Sequence, residues 1–368
     1  MYKVLILGAG SIGNHLSHAC REKNWSVDLV DSDPAALART REQIYPSRYG
    51  SWDPEISLLP AVDHPKGYDL VIIGTPPDTH LDLAIDALNR FPPRVLLIEK
   101  PLCTPFLERL NELESLGDST GCRIVTGYNH NFTANTRRAT ELVNKGILGE
   151  PISIHVRWLE HWGGIFAAHP WLTGPEDSYL GFWTKGGGAC GEHSHAISLW
   201  QYFSTLINAG SITEVTACMS LTTQNRVEYD RVAQLFLRTK SGLVGSVIQD
   251  VVTAPPEKSM LIQGTGGFLE WRANYDSQHD SIKYGESNAE PVLETFSKTR
   301  AMDFVGQIDH IESLLEGSIN NSPNSLKNGK ATMEVITAAY LSNRENRSVS
   351  LPDSQLSKKL QSVESGVR

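Results

Sequence analysis

The sequence predicts an α/β chain in which a doubly wound parallel sheet is followed by a predominantly antiparallel one. Three observations carry this. A glycine-rich turn joins a short apolar run to a helix near the amino terminus, apolar runs and helical stretches then alternate as far as Gly127, and beyond it come short runs punctuated by turn residues. We therefore expect one domain over residues 1–126 and an α+β domain over residues 127–368.

Lys3 to Leu7 reads as a strand buried on both faces of a parallel sheet. Gly8-Ala9-Gly10-Ser11-Ile12-Gly13 follows at once, and Asn14 to Lys23 has helical spacing. In the order strand, G-x-G-x-x-G, helix, Gly8 allows the tight turn, Gly10 lets the backbone approach a pyrophosphate, and Gly13 lets helix and strand pack closely. The helix amino terminus then offers unpaired N–H groups to the anion. A second strand, Val27 to Val30, ends at Asp31, about 20 residues beyond the glycines, where a carboxylate accepts from an adenosine ribose and repels a 2′-phosphate. With Ser32 next and no arginine there, the expected cofactor is NAD, with NADP disfavoured.

Asp69 to Ile73 and Arg94 to Ile98 are further strands, separated by a helix around Leu81 to Asn89. Ligands of doubly wound sheets sit beyond the carboxyl ends of the strands. Two loops fall there, Gly74-Thr75-Pro76-Pro77-Asp78-Thr79-His80 and Glu99-Lys100-Pro101. Lys100 thus stands at the mouth of a buried strand, where desolvation tunes an amine for work in a site.

After Gly127, Thr133 to Lys145 reads as a helix and Ile152 to Leu159 as a strand. An aromatic stretch from Trp162 to Trp183 follows. Val215 to Leu221, Ala233 to Leu237, Val244 to Val251, Met260 to Gln263 and Phe268 to Trp271 are strands, and Asp303 to Leu315 and Lys330 to Leu341 are helices.

Composition excludes several classes. The 42 acidic and 33 Lys and Arg residues give net charge -9, so no global basic field exists to neutralise a nucleic acid. Five scattered cysteines without C-x-x-C spacing suit reduced thiols in the cytoplasm. The apolar start is too short for a signal-peptide core or a membrane span.

These motifs together resemble the Gfo/Idh/MocA oxidoreductases, the glucose-fructose oxidoreductase and inositol dehydrogenase family. The resemblance rests on GAGSIG, Asp31, GTPPDTH, EKP at 99–101, GYNHNF at 127–132 and GGG at 186–188, in that order along nearly the whole chain. It implies a Rossmann domain, then an α+β domain whose large, mostly antiparallel open sheet forms homodimer or homotetramer contacts, with carboxyl-terminal helices packing around both. It also implies nicotinamide-dependent chemistry on a hydroxyl or keto carbon of a sugar, nucleotide sugar or cyclitol. The stretch after the glycines, Glu192-His193-Ser194-His195, looks like a subgroup with a Glu-x-Ser-His pattern, several of whose members act in bacterial surface-sugar pathways. Asn131 stands where many relatives have arginine.

On this reading Gly8, Gly10, Ser11, Ile12, Gly13, Asp31, Thr75, Pro76, His80, Glu99 and Lys100 meet the cofactor. Lys100, Tyr128, Asn129, Trp162, Trp183, Glu192 and His195 meet substrate. Catalysis falls to Lys100, His195 and Glu192. An imidazole suits proton transfer because it changes charge near neutral pH, and Lys100 would polarise the same oxygen. Glu192 and His195, at i and i+3, would share one helix face. His193 at i+1 points elsewhere and reads as structural, and without further ligands no metal site is expected. Trp158, Trp162, Trp171 and Trp183, with His161, His169 and Tyr179, offer either sugar-stacking faces or core packing. Two rival activities stand beside the dehydrogenase: a glycosidase using transient oxidation by NAD, and a non-catalytic NAD-responsive regulator.

Overall fold

A computed structural model of the chain describes residues 1–62, 67–167, 171–223, 226–286 and 289–366. The chain forms two compact units. Met1–Cys103, Glu108–Asn129 and Arg300–Gly329 make the first; Thr104–Leu107, His130–Thr299 and Lys330–Arg368 make the second.

The first unit holds six strands: β1 (Lys3–Leu7), β2 (Ser26–Val30), β3 (Ile56–Leu59), β4 (Leu70–Ile73), β5 (Val95–Ile98) and β6 (Arg123–Thr126). They form one sheet in the order β3-β2-β1-β4-β5-β6, with every pairing parallel. The order reverses between β1 and β4, the switch point where doubly wound sheets bind ligands. Every residue of β4 and β5 is buried, because helices cover both faces of a central parallel strand. One of those helices, Arg300–Glu316, comes from far downstream. Its Phe304, Ile308, Ile311, Leu314 and Leu315 pack in one core with Ile6, Ile72 and Leu97 of the sheet.

The second unit holds β7 (Pro151–Leu159), β8 (Ile212–Thr222), β9 (Tyr229–Thr239), β10 (Val244–Asp250), β11 (Glu257–Gly264), β12 (Gly267–Ala273), β13 (His279–Glu286), β14 (Val292–Ser297) and β15 (Val349–Ser350). They form one sheet in the order β14-β13-β12-β11-β7-β10-β9-β8-β15. Only the β7 and β10 pairing is parallel. Alternation sorts its faces. Ile154, Val156 and Trp158 of β7 and Leu235 and Leu237 of β9 are buried, and the helix His195–Leu206 lies on that side, its Trp200 Nε1 donating to Ile154 O at 2.9 Å. Arg157 and Phe236 point the other way and are exposed. Both parts of the expected fold class are present, a parallel doubly wound sheet and a separate, mostly antiparallel one.

All five cysteines are free thiols, four of them buried. Among the described residues no helix is long and apolar enough to cross a membrane.

Candidate active site

Three glycines shape the turn after β1, each for a different reason. Gly8 adopts φ +107, open to glycine and strained for other residues, and a Cβ there would lie 2.7 Å from Gly74 O. At Gly13 a Cβ would lie 2.0 Å from Gly8 O, so helix and strand touch backbone to backbone. Around Gly10 no atom lies within 4 Å of the Cβ position. The room there faces the amino terminus of the helix Ser11–Glu22, as a pyrophosphate needs.

Asp31 closes the turn from the end of β2. One carboxylate oxygen accepts from Ala9 N and the other from Asp33 N, both at 2.9 Å. Each keeps a lone-pair direction for a ribose hydroxyl. The structure thus fits a nicotinamide dinucleotide. We expect NADH to bind at least about tenfold more tightly than NADPH, since Asp31 repels a 2′-phosphate. Titration of cofactor fluorescence checks this, and tighter binding of NADPH would refute it.

Two loops stand at the carboxyl ends of β4 and β5, and buried His80 braces them. Its Nε2 lies 2.7 Å from Thr75 O and its Nδ1 3.0 Å from Pro101 O. Burial drives the His80 pKa down against the pull of those carbonyls. Thr75 and Thr79 share a hydroxyl contact of 2.7 Å, and the Lys100–Pro101 peptide is cis.

Beside the half-buried Lys100, the Glu99 carboxyl is fully enclosed and presses on Gly127, where a Cβ would lie 2.3 Å from Oε1. Desolvation pushes its pKa from 4.5 up to about 7, opposed by Lys100, Gln307 and Arg300. The folded state therefore holds this proton more tightly than the unfolded state. Stability from this group is full below about pH 4.5 and falls as pH rises towards 7. In urea unfolding between pH 5 and 8, the wild type should lose on the order of 2–3 kcal/mol more than Glu99→Gln. Parallel pH profiles would refute the assignment.

In the second unit, Gly186 to Gly188 lead into a short helix, Gly188–Glu192. Glu192 and His195 do not share a helix face, contrary to the expectation from their spacing. Ser194 N bonds Gly191 O and Ala196 N bonds His193 O. These i to i−3 contacts tighten the chain, so His195 opens a new helix, His195–Leu206. The half-buried Glu192 accepts from Tyr179 Oη at 3.3 Å. His193 is buried, with Nε2 3.4 Å from Glu160 O.

The His195 ring stacks on Trp158, with centroids 5.5 Å apart and planes at 18°. His130 meets it edge-on at 4.9 Å. Trp158 is itself backed by Trp271 at 6.1 Å, and Trp271 Nε1 donates to Thr136 Oγ1 at 2.9 Å. The imidazole is thus oriented by a buried aromatic floor. The sequence pattern does not single out His130 and groups Trp158 with the other aromatic residues. The pairing of β7 with β11 and β12 beyond it, which places Trp158 and Trp271 on one face, was the missing signal.

The remaining aromatics make core-like contacts. Trp162 packs with Leu180, Ala189 and Val251. Trp183 is fully buried against Tyr340 at 4.5 Å and Phe106 at 5.6 Å. Trp171 and His161 are exposed, and His161 Nδ1 accepts from Gly163 N at 2.9 Å. His169 lies outside the described residues. Tyr128 and Asn129 are buried at the end of the first unit's second segment, and Asn324 Nδ2, in its third, donates to Tyr128 O at 2.9 Å. Among the described residues no cluster of His, Cys, Asp and Glu could hold a metal ion.

A doubly wound sheet with this glycine turn and ribose-ready carboxylate defines the first unit as an NAD-binding Rossmann domain. Residues 2–128 match the family model described as oxidoreductase family, NAD-binding Rossmann fold, and residues 136–270 match the carboxyl-terminal domain of the same family. The chain belongs to the Gfo/Idh/MocA oxidoreductase family. It is 26% identical over 175 residues to inositol 2-dehydrogenase of Rhizobium meliloti, a stretch covering 44% of this chain and 49% of that protein. The match thus spans about half the length of that curated relative. Levoglucosan dehydrogenase, solved with NADH and levoglucosan, has a similar fold over 95% of this chain and 99% of that chain, with TM-score 0.75 and 17% identity. The WlbA dehydrogenase from Bordetella pertussis, solved with NADH and UDP-GlcNAcA, covers 96% and 99%, with TM-score 0.69 and 19% identity.

Proposed function

We propose that this protein is an NAD-dependent dehydrogenase acting on a hydroxyl or keto carbon of a sugar, nucleotide sugar or cyclitol. The observation that carries the reading is His195: a half-buried imidazole held by aromatic rings, in a chain whose family binds NAD. Bound NAD supplies the hydride acceptor, or as NADH the donor. His195 takes the hydroxyl proton as the carbinol is oxidised and returns it in the reverse direction. The Lys100 ammonium polarises the same oxygen and offsets its developing negative charge. Glu192, steadied by Tyr179, accepts hydrogen bonds from other substrate hydroxyls.

The Glu192-His193-Ser194-His195 stretch resembles that of surface-sugar enzymes, and WlbA was solved with a nucleotide sugar acid, which puts nucleotide sugars first among the substrates to test. The protein acts in the cytoplasm as a homo-oligomer. Its sheet supports the oligomer. Register aligns Phe236 with Ser246, His155 and Leu261 on one face, and Phe236 is 61% exposed. Light scattering should give a dimer or tetramer that Phe236→Asp weakens, and a monomeric wild type would refute it.

The functional test is a screen of the purified protein with NAD against inositols, free sugars and nucleotide sugars, read as NADH absorbance. Turnover in one of these classes is the expected result. Glycosidic cleavage with no net NADH would mark the transient-oxidation enzyme instead, and cofactor binding with no turnover anywhere would mark a regulator.

A further inference from the structure

The glycine turn is joined by a charge that its motif does not contain. Arg48, on the short helix Tyr45–Tyr49 between β2 and β3, forks onto Ser11, the first residue of the helix after the turn. Its Nη1 donates to Ser11 O at 2.9 Å and its Nη2 to Ser11 Oγ at 2.8 Å. The guanidinium is partly buried, yet among the described residues it takes part in no ion pair. Burial pushes its pKa down, and a second cation, Arg300, itself paired with Asp303 at 3.2 Å, adds to that push. Arg300 stands at the start of the helix Arg300–Glu316, in the same unit, and both arginines act on His15 one turn into the first helix. A partly desolvated arginine with no carboxylate on it gains when an anion arrives.

The Ser11 hydroxyl adds a donor. Its oxygen already accepts from Arg48, so its own hydrogen is left for an acceptor outside the turn. Next to it lies the empty space around Gly10.

We propose that Arg48 and Ser11 form a phosphate-binding element, in which Arg48 holds the Ser11 hydroxyl towards the pyrophosphate of the dinucleotide and neutralises part of its charge. This rests on the cofactor assignment and extends it to a residue outside the glycine motif. The element recognises a diphosphate and is indifferent to the nicotinamide and to the adenine.

Competition against bound NADH fluorescence tests this with two probes, ADP-ribose, which carries the diphosphate, and adenosine, which does not. In Arg48→Ala, ADP-ribose should weaken about tenfold while adenosine changes less than about twofold. Arg48→Lys, which keeps the charge and loses the fork, should fall between. Added salt should weaken ADP-ribose binding less steeply in Arg48→Ala than in the wild type. Equal loss for both probes, or unchanged ADP-ribose binding in Arg48→Ala, overturns the proposal. Absence of NADH binding by the wild type overturns the cofactor assignment itself, and is told apart from the other outcomes because no variant is involved. Should Arg48→Ala fail to fold, the comparison of the two probes in Arg48→Lys decides, with a selective loss of ADP-ribose as the supporting result.

Discussion

Alanine in place of His195 is expected to lower kcat by about 10²–10⁴-fold, the usual worth of a positioned general acid or base. NADH affinity should stay near wild type, since the change leaves the glycine turn and Asp31, which hold the dinucleotide, untouched. Lys100→Ala is expected to cost about 10²–10³-fold for the same substrate, through lost stabilisation of charge on oxygen. Because both groups serve one oxygen in the proposed mechanism, their losses should not multiply. The double variant should be little worse than the poorer single one, as groups that act as a unit behave. Near wild-type turnover in both single variants would refute the roles, and fully multiplicative losses would refute the shared oxygen.

A subtler variant tests the aromatic floor. If Trp158 orients His195 by stacking, Trp158→Phe should keep most of kcat, while smaller side chains lose it together with core packing. Loss of most of kcat in Trp158→Phe, with the fold intact, would refute a positioning role for Trp158 through the imidazole.

The parts of this fold legible in the sequence are those whose burial is uniform. β4 and β5 are apolar throughout because both faces are covered, β1 and β2 are so beyond their exposed first residues except at Asp28, and these strands carry the turn and loops on the cofactor side. β3 and β6 escaped because they are the sheet's edges, where half-exposed residues blur the pattern and β6 opens on Arg123. The membership of Arg300–Glu316 in the first unit was illegible for another reason. Helical periodicity tells which face is apolar, and says nothing of which sheet that face will cover. The same blindness hid Arg48, whose meaning lies in its reach to Ser11 across the β2 to β3 connection. Local glycine chemistry, by contrast, was readable at Gly8 and Gly13, since the turn and the close packing follow from neighbours in sequence.

The second large effect is expected at Gly188, and it shows why the triple glycine is a structural device as much as a signature. Gly188 adopts φ +75, and a Cβ there would lie 1.9 Å from Asp230 Oδ1. That carboxylate cannot step aside. Asp230 is fully buried on β9, its Oδ1 takes the Tyr340 hydroxyl at 2.6 Å, and its Oδ2 takes the Cys190 amide at 2.8 Å in the first turn of the short helix. Gln249 Nε2 holds the same helix through Ala189 O at 3.0 Å. Burial lifts the Asp230 pKa to about 6 against these hydrogen bonds, so at neutral pH moving the group strands a buried charge. Gly188→Ala should therefore cost more than about 4 kcal/mol, combining backbone strain with a broken buried network. A fall of more than about 8 °C in Tm is the expected reading. The clash has one specific partner, so removing that partner should relieve it. Gly188→Ala combined with Asp230→Ala should melt higher than the sum of the two single losses requires, a coupling that backbone strain alone would not produce. Additive losses would show that the left-handed backbone, and not the carboxylate, is what excludes a side chain there. Either way the helix that begins at His195 hangs from this clamp, and kcat should fall with it well before the second unit's sheet unfolds.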